Sequence, residues 1–434
     1  MVIECIAWGL LLLCSLFILH QNQNKGFGQF PENVLINILS RLPADSILRC
    51  RKVCRHWRTL TSSIDFITMQ NQRAPSVIMA ECKYDCWGEE RDYFVYDALA
   101  KKLRKISSDQ ESKFPLAALA KYMRDIFFKS KFDFKNNVKR LRNFSIHGAC
   151  GPLLHIKGER YGLFGHDYAF NLLTRQLGVV NKRMNHVVCG LFFNELRNEY
   201  NYLCVRFLST NANSNQTFQL YVYNLASCSN IEIASSRVLC GSCSKVTPIA
   251  VNQALYLMVY LTERHVNQCK HMVLVFEMDS GNFHTLPHPK LKWSCIGASH
   301  SDMYLFVHDG RLCLYHANVS LGLLDIWTLE DHANWCWVPL CSKINLPLSG
   351  DARRGDHWTI LSVRKYELLV YWDDPHLFLV NLKEQSVEEI KMPYKIDFQY
   401  YRVMSSKFSL VAYKSTLATP HLVWDIGEPP LFSL

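Results

Sequence analysis

The sequence predicts an α+β chain: a small helical module over residues 27–70, followed by a large all-β domain over residues 75–434. Three observations lead there. Apolar residues recur at helical spacing from Val34 to Trp57. Beyond them come short runs rich in β-branched and aromatic residues, bounded by turn residues, as strands are. Those runs repeat at intervals of roughly 50 residues, the period of a fold built from repeated sheets.

The chain starts with an apolar segment over residues 1–24. The run that begins at Ile6 and closes at Leu19 has Ser15 as its only polar residue. It is shaped like a signal-peptide core or a short membrane anchor. Glu4 stands where a signal peptide carries Lys or Arg, and no small-residue cleavage site follows. The open readings are an anchor that leaves the rest of the chain facing the cytosol, an extension from a wrongly chosen start codon, and a packed apolar tail.

Pro31 suits the start of a helix, and Glu32 suits the positive end of its dipole. Val34, Leu35, Ile38, Leu39 and Leu42 then form an apolar face, and Pro43 is expected to end the helix. Asp45 or Ser46 is expected to cap a second helix carrying Ile47, Leu48, Cys50, Val53, Cys54 and Trp57. A third, short helix is expected from about Ser62 to Met69. A module of some 40 residues buries too little apolar area to be very stable alone. Its apolar positions also cover more than one helix face. Either the module packs on the rest of the chain or it offers surface to a partner.

The run Phe30-Pro-Glu-Asn-Val-Leu-Ile-Asn-Ile-Leu-Ser-Arg-Leu-Pro43, followed by Ser46-Ile-Leu-Arg-Cys-Arg-Lys-Val-Cys-Arg-His-Trp57, resembles the F-box nearly end to end. The continuation from Arg58 to Ile67 is similar to the form common in plants. Phe30 stands where the family usually has Leu, which keeps the apolar contact. The resemblance implies binding of a Skp-type adaptor, and through it a cullin–RING ubiquitin ligase. It implies adaptor contacts from Phe30, Pro31, Val34, Leu35, Ile38, Leu39, Leu42, Pro43, Ile47, Val53 and Trp57, some of which must instead hold the module's own core. A cytoplasmic or nuclear location follows from the same resemblance.

In the β domain the anchors of the repeat are Tyr96-Asp97, Phe170-Asn171, Tyr223-Asn224, Phe276-Glu277, Ile326-Trp327 and Val380-Asn381. From Asn171 onward, the intervals to Asn224, Glu277, Trp327 and Asn381 are 53, 53, 50 and 54 residues. The spacing is that of kelch-type propeller blades, which bury their sheet faces by closing into a ring. The first interval, from Asp97 to Asn171, is 74 residues, with the basic stretch between Lys121 and Arg142 as the expected insertion. The stretch from Tyr400 to Ala418 is the candidate for the closing strands. An irregular β-sandwich is the competing architecture. The order of His147-Gly-Ala-Cys-Gly-Pro-Leu-Leu-His-Ile156, Phe170-Asn-Leu-Leu-Thr-Arg-Gln176, the run from Gly190 to Tyr200, and Leu324-Asp-Ile-Trp327 also resembles the F-box-associated domain of plant proteins. Leu172 replaces the Pro usual in the second of these motifs, so the first blades are expected to be degenerate.

Composition narrows the function. The 434 residues are 49% hydrophobic and 20% charged, as in a folded protein, and carry a net charge of +10. That charge admits a nucleic acid, an anionic membrane or an acidic protein. No nucleic-acid motif accompanies the basic stretches, so no nucleic-acid partner is expected. The 17 cysteines are odd in number, and the single C-x-x-C, Cys240 to Cys243, has no second pair at zinc-ribbon spacing. His265, Cys269 and His271 are the only candidates to complete such a site, and neither metal nor cofactor is expected. P-loop, dinucleotide-binding, zincin and hydrolase motifs are missing. Asp351, Asp356, Asp373 and Asp374, and His284, His288, His300, His308 and His316, read as turn and scattered residues rather than a catalytic set. The expectation is a non-catalytic substrate receptor of a ubiquitin ligase, with an unknown protein substrate. The alternative is a membrane-tethered or ligase-independent interaction module, resting on the apolar run from Ile6 to Leu19.

Overall fold

The structure is a computed structural model. It describes residues 31–42, 44–73, 76–83, 91–98, 100–105, 143–159, 167–171, 176–180, 186–208, 217–236, 248–260, 271–289, 303–318, 321–331, 334–347, 358–372, 376–391 and 408–414. Four helices come first: α1 (Glu32–Leu39), α2 (Ala44–Cys50), α3 (Arg55–Ser62) and α4 (Ile64–Arg73). Two expectations need correction. The first helix stops at Leu39 instead of running to Pro43, because Arg41 and Leu42 donate back to Ile38 and Leu39 in tight turns. The expected second helix is two helices. Cys54 adopts an extended backbone and caps α3, its Sγ accepting from the Trp57 N–H at 3.5 Å. Ser63 does the same for α4, its Oγ accepting from the Phe66 N–H at 3.3 Å.

The rest is strand. Following the chain, the strands are β1 (Ser76–Lys83), β2 (Arg91–Asp97) and β3 (Lys102–Lys105). Next come β4 (Asn143–Cys150), β5 (Leu153–Glu159), β6 (Asp167–Asn171) and β7 (Gln176–Val180). The third set is β8 (His186–Asn194), β9 (Glu199–Leu208), β10 (Thr217–Asn224) and β11 (Asn230–Ser236). The fourth is β12 (Ile249–Val251), β13 (Ala254–Tyr260), β14 (His271–Glu277) and β15 (Phe283–Pro287). The fifth is β16 (Met303–His308), β17 (Arg311–Asn318), β18 (Leu323–Asp331) and β19 (Cys336–Asn345). The last five are β20 (Trp358–Arg364), β21 (Glu367–Trp372), β22 (His376–Asn381), β23 (Ser386–Ile390) and β24 (Phe408–Lys414).

These strands form six antiparallel four-stranded sheets. Five contain consecutive strands. The sixth has the order β24-β1-β2-β3, so the last strand completes the sheet that the first three begin. Ser76 pairs with Lys414 and Cys82 with Phe408 along that seam. The architecture is therefore a six-bladed β-propeller closed by its C-terminal strand, and the sandwich alternative falls. The early blades are complete, not degenerate.

The core confirms the ring. Each hydrophobic cluster of the β domain spans two neighbouring blades, and the last joins the sixth blade to the first through Ile78, Phe94, Leu369 and Leu379. Strand alternation supplies both faces at once. On β22, Leu377 and Leu379 pack toward the first blade while Phe378 and Val380 pack toward the fifth. Polar contacts reinforce the seams. Tyr202 donates to the Tyr168 carbonyl at 2.9 Å, and His308 Nδ1 lies 2.9 Å from Ser362 Oγ.

The repeat has a chemical cause. One sequence anchor lies on the third strand of every blade, namely β2, β6, β10, β14, β18 and β22. Asn224 Oδ1 accepts the N–H groups of Ala226 and Ser227 at 2.9 and 2.8 Å, and Asn381 Oδ1 accepts those of Lys383 and Glu384 at 3.0 and 3.1 Å. Asp97 accepts from Ala100 in the same way. An Asx side chain thus folds the turn into the fourth strand. In the fifth blade Asp331 holds this position, accepting from Asn334 at 3.1 Å, so the anchor there is four residues beyond Trp327.

Connections are unequal at the two ends of the strands. The eleven at one end are two to five residues long. Tight type I′-like pairs such as Asn252-Gln253 and Asp309-Gly310, all at positive φ, occur there. The twelve at the other end run from three to 37 residues, and nine have seven or more. The start of β1, where the helical module joins, is at the short-turn end.

Candidate functional site

The helical module has its own core, formed by Leu39, Leu42, Ile47, Cys50, Leu60 and Phe66, with Leu35, Ile36, Leu48 and Trp57 packed against it. That divides the residues singled out from the sequence. Leu39, Leu42 and Ile47 are buried. Leu35, Val53 and Trp57 are half-buried. Pro31, Val34 and Ile38 face solvent, with Val34 37% and Ile38 39% exposed. Phe30 and Pro43 lie outside the described residues.

The three exposed positions form one stripe. Val34 and Ile38 are four apart and share a face of α1, with Pro31 at the helix entry; Leu35 borders that face and Ile36 lies across the helix from it. The helix entry presents the stripe. Pro31 stands before the first turn at φ −54° and ψ 140°, and its carbonyl accepts from Val34 at 2.9 Å. An apolar stripe beside a small core is surface suited to a partner rather than to chemistry.

The basic residues around it divide too. Arg41, Arg49, Lys52, Arg55 and Arg58 are exposed. Arg51 is turned inward, donating from Nη2 to the Thr61 carbonyl at 2.7 Å and from Nε to Thr61 Oγ1 at 3.2 Å. Burial, and then the charge of Arg58, lower its pKa. Thr61 is buried and donates in turn to the Trp57 carbonyl at 2.7 Å, so Arg51 braces α3. Nothing in the sequence separates Arg51 from its exposed basic neighbours. Sequence reasoning missed Arg73, Asn37 and Ser40, which bond one another across the module. Their signal was a polar Ser40 amid an apolar run, and it is 2% exposed.

The propeller offers no competing centre among the described residues. No group of three or more His, Cys, Asp or Glu is placed to hold a metal ion there. His155 and Asp167, 2.9 Å apart, are both buried. His288 is buried with Nδ1 2.7 Å from the Pro289 carbonyl, and His284 packs on Trp335. Cys240, Cys243, His265, Cys269, His300, Asp351, Asp356, Asp373, Asp374 and the basic stretch from Lys121 to Arg142 lie outside the described residues. So does the apolar run from Ile6 to Leu19. No helix among the described residues is long and apolar enough to cross a membrane.

Comparison with known proteins agrees with this division. Residues 27–68 match the F-box domain, and residues 135–411 match the F-box associated beta propeller domain. The chain belongs to the F-box associated beta propeller family. An F-box protein of Arabidopsis thaliana is 23% identical over 406 residues, covering 90% of each chain. TolB from Acinetobacter baumannii is similar over 83% of this F-box protein and 74% of its own chain, at 9% identity and a TM-score of 0.40. A chain of a nidogen/laminin complex is similar over 79% of this one and 99% of its own, at 7% identity and a TM-score of 0.43. At those scores the likenesses add nothing to the sheet order itself. In this F-box protein the family's helical domain is the module that carries the exposed stripe.

Proposed function

We propose that this protein is a non-catalytic, substrate-recognition subunit of an SCF-type ubiquitin ligase, docking a Skp-type adaptor through its F-box and holding a target protein on its propeller. The observation that carries the reading is the exposed apolar stripe of Pro31, Val34 and Ile38 on a helical module matched to the F-box. In this reading the half-buried Leu35, Val53 and Trp57 add to the contact, the buried Leu39, Leu42 and Ile47 support it through the module's core, and the F-box resemblance assigns Phe30 and Pro43 to the same contact. Val34 and Ile38 are already more than half covered, so docking gains about 1 kcal/mol from each. The receptor needs no chemistry of its own, because holding a target lysine beside a charged conjugating enzyme raises its effective concentration.

The target is assigned to the long-connection end of the ring, since loops carry recognition on rigid scaffolds. The segments joining strands at that end contain 24 Lys and Arg against 14 Asp and Glu, a composition suited to an acidic target.

The test is calorimetric titration of the full chain with a Skp-type adaptor. The Val34→Asp, Ile38→Asp double variant is expected to lose binding by about 100-fold or more, as for charges forced against an apolar partner surface. Its helix content and thermal midpoint should match the wild type. Adaptor affinity that survives this pair of changes would overturn the docking assignment.

A further inference from the structure

Arg73 is the last residue of α4, and its guanidinium reaches back 36 and 33 residues to the end of α1. Nη1 donates to Ser40 Oγ at 2.6 Å, to Asn37 Oδ1 at 3.0 Å and to the Asn37 carbonyl at 3.2 Å. The acceptors are themselves fixed. Ser40 caps α1 and its hydroxyl donates to the Asn37 carbonyl at 3.2 Å, while Arg41 Nε donates to Asn37 Oδ1 at 3.3 Å. The place is favourable for a cation, since the C-terminal carbonyls of a helix carry partial negative charge.

The surroundings make this contact consequential. Among the described side chains of α4, Phe66, in its first turn, is the one in the module's buried core cluster. Gln70 is buried further along, and Arg73 is the tie at the end. Only Ala74 and Pro75 separate Arg73 from Ser76, the first residue of β1. That strand is held on both sides, by β2 and by the closing strand β24. Helix ends fray unless something fixes them. With Arg73 in place, two residues, one of them a proline, lie in sequence between the pinned end of α4 and the first blade. If α4 lost its last turn, the same path would gain about four freely rotating residues, one turn of helix.

We propose that Arg73 is a positioning residue that pins the exit of the helical module to α1, and so sets the propeller in a fixed orientation to the Val34 and Ile38 stripe. The inference rests on the proposed adaptor docking for its biological meaning. A target carried on a short, stiff connection stays where the ligase can reach it, whereas a loosened connection dilutes it over a larger volume. The stripe and Arg73 therefore divide the work: one binds, the other aims.

The experiment uses the full chain bound to a Skp-type adaptor. Spin labels are introduced as unnatural amino acids at Thr59 on α3 and at Glu384 in the turn between β22 and β23, both exposed. Adaptor affinity, the label-to-label distance distribution and amide exchange over residues 67–76 are measured for wild type, Arg73→Ala, Arg73→Lys and Ser40→Ala. Arg73→Ala is expected to keep adaptor affinity within about twofold, as for a change away from the docking stripe. It should broaden the distance distribution and speed exchange at the end of α4. Arg73→Lys should restore most of the narrow distribution, because an ammonium can donate to the same oxygens. Ser40→Ala should broaden it less than Arg73→Ala, and it supplies the reading if Arg73→Ala unfolds the helices. Distributions as narrow in Arg73→Ala and Ser40→Ala as in the wild type would overturn the proposal. Failure of the wild-type chain to bind the adaptor would instead sink the docking assignment and leave the distance measurement to stand alone.

Discussion

His271 on β14 has its pKa pushed down to about 4, first by burial and then by the neighbouring His288. His308 at the end of β16 is lowered too, mainly by burial, against opposing contributions from the Lys365 backbone and Asp309. A lowered histidine pKa means that the unfolded chain takes up protons at a pH where the folded chain does not. The stability His271 contributes is complete above about 6.5 and is lost as pH falls toward about 4, and His308 adds to the loss in the same direction. The urea midpoint should therefore drop between pH 7.5 and pH 5. His271→Gln should lessen the drop, and a midpoint indifferent to pH over that range would contradict it. The residue scale also shows why the repeat was legible. Asn224, Asn381 and Asp97 stand out in sequence because their side chains fold the turn into the fourth strand of their blades. Trp327 misled by four residues, because the aromatic residue there imitates the strand end while Asp331 does the folding.

At the scale of elements, the strands were easier to read than the helices. A strand buried on both faces, such as β14, appears as a continuous apolar run, and its neighbours cannot change that. The break between α2 and α3 was hidden because its cap is Cys54, a residue type with little capping signal. The apolar spacing of α1 was visible, but Val34 and Leu39 look alike in sequence. Only the packing of α1 on α2 and α3 separates the solvent-facing residue from the buried one. Blade seams add a polar device that no pattern announces. Glu81 on β1, 1% exposed, accepts the Ile146 N–H of β4 at 2.9 Å and lies 3.5 Å from the Tyr93 hydroxyl. Glu81→Ala leaves that buried amide short of a partner. It is expected to cost about 1–3 kcal/mol, read as a lower urea midpoint with an unchanged m-value. An unaltered midpoint would show that Glu81 is not part of the seam's strength.

At the scale of the whole molecule, closure is the property that one repeat cannot show. Six anchors left the number of sheets and the closure open, and the first blade draws its four strands from two separated stretches, residues 76–105 and 408–414. β24 closes it. Leu410 packs into the cluster shared with the sixth blade, and Val411 and Tyr413 pack into the cluster shared with the second. The strand pairs with β1 over seven consecutive residue positions, and Lys414 donates to the Gly151 carbonyl at 2.9 Å. Removing it strips two of the six seams at once and leaves β1 as an unpaired edge, a site for aggregation. A chain ended after residue 407 should therefore lose its single sharp unfolding transition. Amide protection should fall first in β1 and β2 and in the second and sixth blades on either side, with the fourth blade, across the ring, the last affected. The proposed adaptor binding should persist, since the helical module has a separate core. A truncated chain that melts as one unit near the wild-type temperature would mean that the ring is held by its blade faces alone and that the closing strand is dispensable.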